Sequence, residues 1–218
     1  MEIFVYGDKE QYQAITKKVS AKHSVTQVRA IHELPEELEI VVFDFNMEEN
    51  PENLEEYAAF ENLHLFVNTT RGSLAELAYF TEGAKPELYG FAGDPTFLER
   101  EMLEISAYHG NQHEANEIIR KLGIKSTVVD DRVGLVTPRI IAMIINEAFF
   151  TVQEGTASRE DIDLGMKLGT NYPMGPFEWS KAWGLNNIYE LLDALYLDTR
   201  EERYKICPLL KKEYLASY

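Results

Sequence analysis

The chain has 218 residues and a formal net charge of −16, from 37 acidic and 21 basic side chains. This length allows one large domain or two small ones. The acidic balance excludes nucleic acid as a partner class, because phosphate binding requires a basic surface. The single cysteine, Cys207, excludes a disulfide framework and a cysteine-based metal site, and it predicts a reducing compartment.

The first 130 residues alternate between short apolar runs and helical segments. The alternation predicts an α/β domain with a Rossmann-like, doubly wound and mainly parallel sheet. Asn111 is the predicted N-cap of the last helix of this domain, and Gly123 is its predicted end. The predicted strands cover residues 3–6, 25–28, 40–45, 63–68, 88–91, 103–106 and 127–129, and the main predicted helices cover 9–22, 73–80 and 112–122.

The segment from Ala30 to Thr70 holds eleven Asp or Glu residues and no Lys or Arg. Such a charge run is typical of a solvated helix with its flanking loops. We therefore predict a solvated surface here rather than a metal or basic-ligand site, and we predict no metal site elsewhere.

Only helical patterns follow Val133, so we place a domain boundary near Asp131, between residues 1–131 and 132–218. The helix predicted at 138–155 is apolar on several sides, which is typical of burial by its own domain and by a second subunit. Ser158 and Asp161 predict a capping box for a helix that ends at Gly169. Further helices are predicted at 177–183, 187–197 and 208–215, which together form an all-α C-terminal dimerisation domain.

The sequence opens on a strand-like run, with no basic segment before an apolar one. No later stretch approaches eighteen uninterrupted apolar residues, the length typical of a membrane helix. We expect a cytoplasmic protein with no membrane association.

The run from Asp161 to Glu178, Asp-Ile-Asp-Leu-Gly-Met-Lys-Leu-Gly-Thr-Asn-Tyr-Pro-Met-Gly-Pro-Phe-Glu, resembles the 3-hydroxyacyl-CoA dehydrogenase family. The preceding Pro-Arg helix belongs to the same likeness. Asn68-Thr69-Thr70 resembles the family's Asn-Thr-Ser, and the stretch from Val128 to Gly134 resembles its entry into the second domain. The likeness covers roughly residues 63–215, whereas the first sixty residues match in architecture only.

This resemblance implies an NAD-dependent oxidoreductase that interconverts 3-hydroxyacyl-CoA and 3-ketoacyl-CoA and dimerises through its second domain. It also implies a glycine-rich turn after the first strand, a His base held by a Glu, and Ser and Asn side chains near the reacting oxygen. Each implied part can be compared with this sequence, residue by residue.

The dinucleotide turn needs three glycines, which allow a tight turn, a close approach to the pyrophosphate and close packing of helix on strand. This chain supplies only Gly7, a weak match to the cofactor-binding position, while Lys9 and Tyr12 occupy the other two positions. Asp8 and Glu10 add negative charge where a pyrophosphate would bind. No carboxylate for the ribose follows directly after the second strand, where Arg29 stands. We therefore expect no cofactor.

The catalytic positions of the family also differ. Aligned on Asp94-Pro95, the position of the base is Phe91, which cannot accept a proton, and the position of the Asn is Pro138, which suits the first turn of a helix. Thr70 and Glu104 remain the candidate catalytic residues, and Asn68, Phe91 and Pro138 are candidate substrate-lining residues. Asn68 and Thr70 are also interpreted as turn formers at a strand end. His109 and His113 are alternative bases.

Three hypotheses follow. The first is a degenerate family member, a pseudoenzyme with little or no hydride transfer. The second is an active, divergent 3-hydroxyacyl-CoA dehydrogenase, such as a 3-hydroxybutyryl-CoA dehydrogenase of fatty-acid metabolism, with NAD as cofactor and an acyl-CoA-type ligand. The third is a non-catalytic assembly or binding subunit. We expect a homodimer formed through the C-terminal helices. In the third hypothesis these helices pair either with a second copy of the chain or with an active dehydrogenase.

Overall fold

The computed structural model describes residues 1–36, 38–80 and 87–217. Backbone contacts divide the chain into two compact units, Met1–Leu135 and Val136–Tyr218. Among the described residues, the first unit contains the strands and five α-helices, and the second unit contains five α-helices. None of the described helices has both the length and the hydropathy needed to cross a bilayer.

Seven strands form one sheet in the order β2-β1-β3-β4-β5-β6-β7. All neighbouring strands are parallel except β5 and β6, which pair antiparallel. The predicted Rossmann-like, doubly wound fold class is confirmed. The strands are β1 (Glu2–Tyr6), β2 (Val25–Val28), β3 (Ile40–Asp44), β4 (Leu63–Asn68), β5 (Glu87–Phe91), β6 (Leu103–Ala107) and β7 (Ser126–Val128).

Alternating apolar side chains give the sheet two buried faces. Ile3, Val41 and Phe43 lie in the core on one face. Phe4 and Val42 lie in the core on the other face. The helices of this unit are α1 (Lys9–Lys18), α2 (Asn53–Tyr57), α3 (Leu74–Phe80), α4 (Pro95–Leu98) and α5 (Gln112–Lys121), with 3₁₀ turns at Ile31–Glu33 and Tyr108–Gly110.

Two predicted features of these helices were wrong. Helix α1 ends at Lys18 rather than at residue 22, because Val19 has an extended backbone with ψ 139° and the Ser20 amide donates to the distant Leu122 carbonyl. Asn111 occupies the N-cap position of α5, but its side chain makes no capping hydrogen bond.

The second unit is helical, with α6 packed against α8, α9 and α10. Ala142, Ile145 and Phe149 of α6 are buried. The Ser158 side chain caps α7 as predicted, but this helix continues beyond Gly169 to Thr170 and ends at Asn171, a left-handed residue with φ 57°. The helices are α6 (Thr137–Gln153), α7 (Arg159–Thr170), α8 (Pro176–Trp183), α9 (Leu185–Thr199) and α10 (Pro208–Ala216), with a 3₁₀ turn at Glu202–Tyr204.

Candidate functional site

The candidate site lies at the carboxyl edge of the parallel strands. The chain crosses from β1 to β2 on one side of the sheet and from β3 to β4 on the other, so β1 and β3 form the switch point of the topology. Ligands of open α/β sheets bind outside the carboxyl ends of the strands at such a point. The residues that follow β1, β3, β4 and β5 therefore define the region of interest.

Asn68 organises the turn after β4. Its side-chain oxygen accepts hydrogen bonds from the Thr70 hydroxyl at 2.8 Å and from the Gly93 amide at 2.9 Å. A Cβ on Gly93 would lie 2.8 Å from the Asn68 side chain, so this close approach requires glycine. The structure thus brings the predicted residues Asn68 and Thr70 together, and both side chains are buried.

Glu48 was missed by the sequence prediction, which treated the whole acidic stretch as solvated. Its carboxylate accepts hydrogen bonds from the Arg71 amide, from the Arg71 guanidinium at 3.0 Å and from Asn68 Nδ2 at 3.1 Å. Its side chain is 7% exposed. Burial raises the pKa of Glu48 to about 7, although the neighbouring Arg71 opposes that shift.

Asp44, at the end of β3, is a second buried carboxylate of the same acidic stretch. It accepts hydrogen bonds from the Asn46 amide at 2.6 Å and from the Tyr57 hydroxyl at 3.0 Å. Burial raises the pKa of Asp44 to about 6, while these hydrogen bonds act to lower it. Most of the acidic residues around α2 are exposed, but Asp44 and Glu48 are part of the interior.

The turn after β1 is closed by its own side chains. Asp8 Oδ1 accepts from the Gln11 amide at 2.8 Å, and Gln11 Oε1 accepts from the Asp8 amide at 2.7 Å. This capping box occupies amides at the start of α1, where a pyrophosphate would bind in a dinucleotide fold. A Cβ on Gly7 would lie 2.4 Å from Gln11 Oε1 and 3.0 Å from the Phe45 ring.

Tyr12, at the position of the third glycine of the fingerprint, packs differently from a glycine. Tyr12 packs against the core on the α1 face of the sheet, and its hydroxyl donates to the Val25 carbonyl at 3.3 Å. A tyrosine ring therefore lies between α1 and the strands, where the glycine of the fingerprint allows close contact.

The end of β2 carries a carboxylate that the sequence prediction missed. Glu33 Oε2 accepts from the Arg29 amide at 3.1 Å. The 3₁₀ turn at Ile31–Glu33 returns this side chain to the strand end. The prediction had considered only residues 27–30, which immediately follow the strand, so a carboxylate four residues after Arg29 was overlooked.

Phe91 is fully buried, and its ring lies 5.6 Å from Phe43 and 5.0 Å from Phe45. Leu103 and Ile105 belong to the same core. Their neighbour Glu104 therefore faces the opposite side of the sheet. The structure places Phe91 in the core rather than along a groove, and it does not bring Phe91 and Glu104 together.

Ala92 is the residue of this segment that neighbours Glu104, because its amide donates to the Glu104 carbonyl at 3.2 Å. Nearby, the hydroxyls of Thr69 and Ser106 are buried without a hydrogen-bond partner among the described residues. A Cβ on Gly90 would lie 2.5 Å from Thr69 Oγ1 and 2.4 Å from Ser106 Oγ. Two hydroxyls thus converge over Gly90 on the Glu104 side of β5.

The other predicted residues belong to other elements of the chain. Pro138 is buried in the first turn of α6, as its helix-starting role predicted, and it belongs to the second unit. His109 lies in the 3₁₀ turn Tyr108–Gly110 with φ 52°, and His113 lies in α5. A cavity of about 880 Å³ lies between α1 and α4, and none of the predicted site residues lines it.

Comparison with known proteins finds similarity to 3-hydroxyacyl-CoA dehydrogenases. Residues 134–217 match the sequence model described as 3-hydroxyacyl-CoA dehydrogenase, C-terminal domain. The 3-hydroxybutyryl-CoA dehydrogenase of Clostridioides difficile is 27% identical over 217 residues, which cover 96% of this chain and 76% of the relative. Residues 134–217, which make up almost all of the second unit, therefore belong to the C-terminal domain family of the 3-hydroxyacyl-CoA dehydrogenases. The resemblance predicted from the sequence is confirmed.

Two further similar proteins match a smaller part of the chain or the fold alone. The 3-hydroxyadipyl-CoA dehydrogenase of Escherichia coli is 45% identical over 87 residues, which cover 40% of this chain and 18% of the relative. The aligned segment therefore spans less than a fifth of that relative's length. The solved structure of FadB2 from M. tuberculosis has a TM-score of 0.83 at 17% identity, covering 99% of this chain and 94% of that one.

Several family-like residues between Asp161 and Glu178 have a structural role. Asp163 Oδ1 accepts from the Phe177 amide at 2.8 Å, and Glu178 Oε2 accepts from the Gly175 amide at 2.9 Å. Lys167 forms an ion pair with the same Glu178. The family-like residues of this run thus hold the backbone between α7 and α8.

Proposed function

We propose that this member of the 3-hydroxyacyl-CoA dehydrogenase family retains the family fold and has little or no hydride-transfer activity. The observation that carries the proposal is the capping box between Asp8 and Gln11. A dinucleotide needs free amides and room for its pyrophosphate at this helix start. Here the amides already have protein acceptors, and Gln11 fills the space beside Gly7.

The residues present therefore do not fit an NAD pyrophosphate, although members of the family are NAD-dependent. Tyr12 supports the same conclusion. Its ring lies between α1 and the strands, so α1 cannot approach the sheet as closely as it does when this position is glycine. The carboxylate of Glu33 at the end of β2 is the one feature of this region that suits a ribose.

The absence of a base supports the proposal independently. Neither Phe91, which the sequence alignment places at the base position, nor Ala92, which lies beside Glu104, carries a group that accepts a proton. Loss of a general base costs about 10² to 10⁴ in rate. Thr70 keeps a hydroxyl, but that hydroxyl donates to Asn68 within its own turn.

Thermal unfolding with NADH tests the proposal. A ligand at a hundred times its dissociation constant stabilises a protein by about 2.7 kcal/mol, which is a clear rise in melting temperature. We expect no rise for the wild-type chain. The double variant Asp8→Ala, Gln11→Ala frees the helix amides, and Glu10→Ala is its exposed control. A saturable rise in the wild type would overturn the proposal.

An active 3-hydroxybutyryl-CoA dehydrogenase is the second candidate. The alignment with the C. difficile enzyme over 96% of this chain favours it, as does the pair Asn68 and Thr70 at the carboxyl edge. This candidate takes NAD as cofactor and an acyl-CoA-type ligand. It predicts oxidation of NADH that depends on acetoacetyl-CoA, together with loss of this activity in Thr70→Val.

A homodimer through the second unit is the proposed assembly. Helix α7 has no buried residue, and its Leu164 and Leu168 are 53% and 78% exposed. Gly165 and Gly169 lie on the same helix face with no atom within 4 Å of their Cβ positions, so a second helix could approach closely. Leu168→Asp should shift the sedimentation equilibrium toward monomer, whereas Leu215→Asp on α10 should not.

A further inference from the structure

Four polar side chains from four separate segments meet near the starts of β4 and β5. His64 lies on β4, Glu87 begins β5, Glu114 lies in the first turn of α5, and Glu39 immediately precedes β3. The ligand atoms of His64, Glu87 and Glu114 all lie within 4.8 Å of one another. The sequence offered no sign of this group, because its members are separated by more than twenty residues.

The two nitrogens of His64 face different partners. Nδ1 lies 3.1 Å from Glu87 Oε2, on the side of the three-residue group, and Nε2 lies 3.4 Å from Glu39 Oε1. In protein metal sites, the nitrogen of histidine that does not bind the metal usually donates to a carboxylate. Glu39 occupies the position of such an outer carboxylate, which leaves Nδ1 for a cation.

Tyr89 supports the Glu87 carboxylate from within the protein. Tyr89 is fully buried, and its hydroxyl donates to Glu87 Oε2 at 3.1 Å. A phenolic hydroxyl is a hydrogen-bond donor. A donor on a carboxylate fixes the orientation of that carboxylate in the way that outer contacts fix metal ligands.

The charge of the group also favours a cation. Three carboxylates surround one imidazole, and the ion pairs of Glu39 and Glu87 among the described residues both go to His64. Even a protonated imidazole leaves an excess of negative charge. The group is open to solvent, since the side chains of His64 and Glu87 are 16% and 44% exposed.

We propose that His64, Glu87 and Glu114 bind a divalent transition-metal ion, with Glu39 and Tyr89 as outer contacts. One imidazole nitrogen and two carboxylate oxygens suit Zn²⁺, with water completing the coordination. This departs from the sequence prediction that no metal site exists. The bound ion ties β4, β5 and α5 together and stabilises the first unit, independently of any dehydrogenase activity.

Calorimetric titration of the full chain with Zn²⁺, after removal of metals by chelation, tests the proposal. We expect one saturable site per chain. His64→Gln, Glu87→Gln and Glu114→Gln should each lower the affinity at least about tenfold, and Glu39→Gln should lower it by about 10- to 100-fold through the outer contact. Circular dichroism of each variant checks that the fold is retained.

Glu117→Gln is the matched control, because Glu117 lies on the same helix as Glu114 and pairs with Arg120 at the surface. This variant should bind Zn²⁺ as the wild type does. Absorption of bound Co²⁺ gives a second readout, since an imidazole ligand changes its spectrum and His64→Gln should remove that change. No saturable binding, or equal binding by His64→Gln and the wild type, would overturn the proposal.

Discussion

The turn between α7 and α8 and the turn after β1 differ in how they relate to the family. In the first, the family-like residues Asp163 and Glu178 hold backbone amides. In the second, the family's glycines are replaced by Lys9 and Tyr12, and Asp8 closes the helix start. The chain resembles its family where side chains hold the backbone between α7 and α8, and it departs at the turn where the family binds its dinucleotide.

This difference has a physical reason. A side chain that holds a buried amide contributes to the free energy of folding, so its loss destabilises every copy of the protein. A residue that contacts only a ligand contributes nothing to the fold, and its replacement leaves the structure unchanged. On this view Asn68 belongs with the structural residues, because its partners are in its own turn.

Asn68→Ala should produce the largest effect. The substitution removes the acceptor for the Thr70 hydroxyl and the Gly93 amide, and it removes a donor to buried Glu48. Unsatisfied buried groups of this kind cost about 1–3 kcal/mol each, so we expect a loss of about 2–4 kcal/mol in the free energy of unfolding. Urea unfolding measures this change.

Asn62→Ala is the control for that substitution, because Asn62 is exposed and its backbone carbonyl accepts from the Ile40 amide, while its side chain has no hydrogen bond to the described residues. Its unfolding free energy should stay within about 0.5 kcal/mol of the wild type. If Asn68→Ala caused an equally small change, Asn68 would not stabilise the fold. It would then belong with the residues that contact only a ligand, and the contrast drawn above would be wrong for Asn68.

Gly175→Ala should produce an intermediate effect in the second unit. A Cβ at this position would lie 2.3 Å from Asp163 Oδ1 and 2.4 Å from Asp163 Cβ, so α7 or the Asp163 side chain must shift. Overpacking of this kind costs about 1–3 kcal/mol. Gly165→Ala, with no atom within 4 Å, should instead stabilise α7 by about 0.5–1 kcal/mol, as alanine does in a helix interior.

The sequence predicted the strands closely because apolar alternation is a local property. The strand predicted at 63–68 is Leu63–Asn68, and the one predicted at 25–28 is Val25–Val28. The predicted end of α1 was wrong because the helix end depends on a backbone hydrogen bond between Ser20 and Leu122, which are distant in sequence.

The candidate site was less predictable for the same reason. Asn68 and Thr70 were found because they are two residues apart and resemble a family motif. The burial of Glu48 was missed because its partners Asn68 and Arg71 lie 20 and 23 residues away. A carboxylate within an acidic run carries no local signal that distinguishes a buried position from an exposed one.

The pH dependence of stability should show the smallest effect and tests the burial of Glu48 directly. The pKa of Glu48 is raised from 4.5 to about 7 in the folded chain, mainly by burial, with Arg71 opposing the shift. Between these values the folded state binds more protons than the unfolded state, so the free energy of unfolding falls as pH rises. The stabilisation is fully present below the unfolded pKa and is lost through the folded pKa.

Replacing Glu48 with Gln removes this titrating group. Relative to Glu48→Gln, the wild type should lose about 1 kcal/mol of unfolding free energy between about pH 6 and pH 7, since one pKa unit corresponds to about 1.4 kcal/mol. Glu49→Gln is the control, because Glu49 is its exposed neighbour and should keep the wild-type slope. If the stability of all three proteins changed equally with pH across this range, Glu48 would be solvated like Glu49, and the burial assigned to it at the candidate site would be wrong.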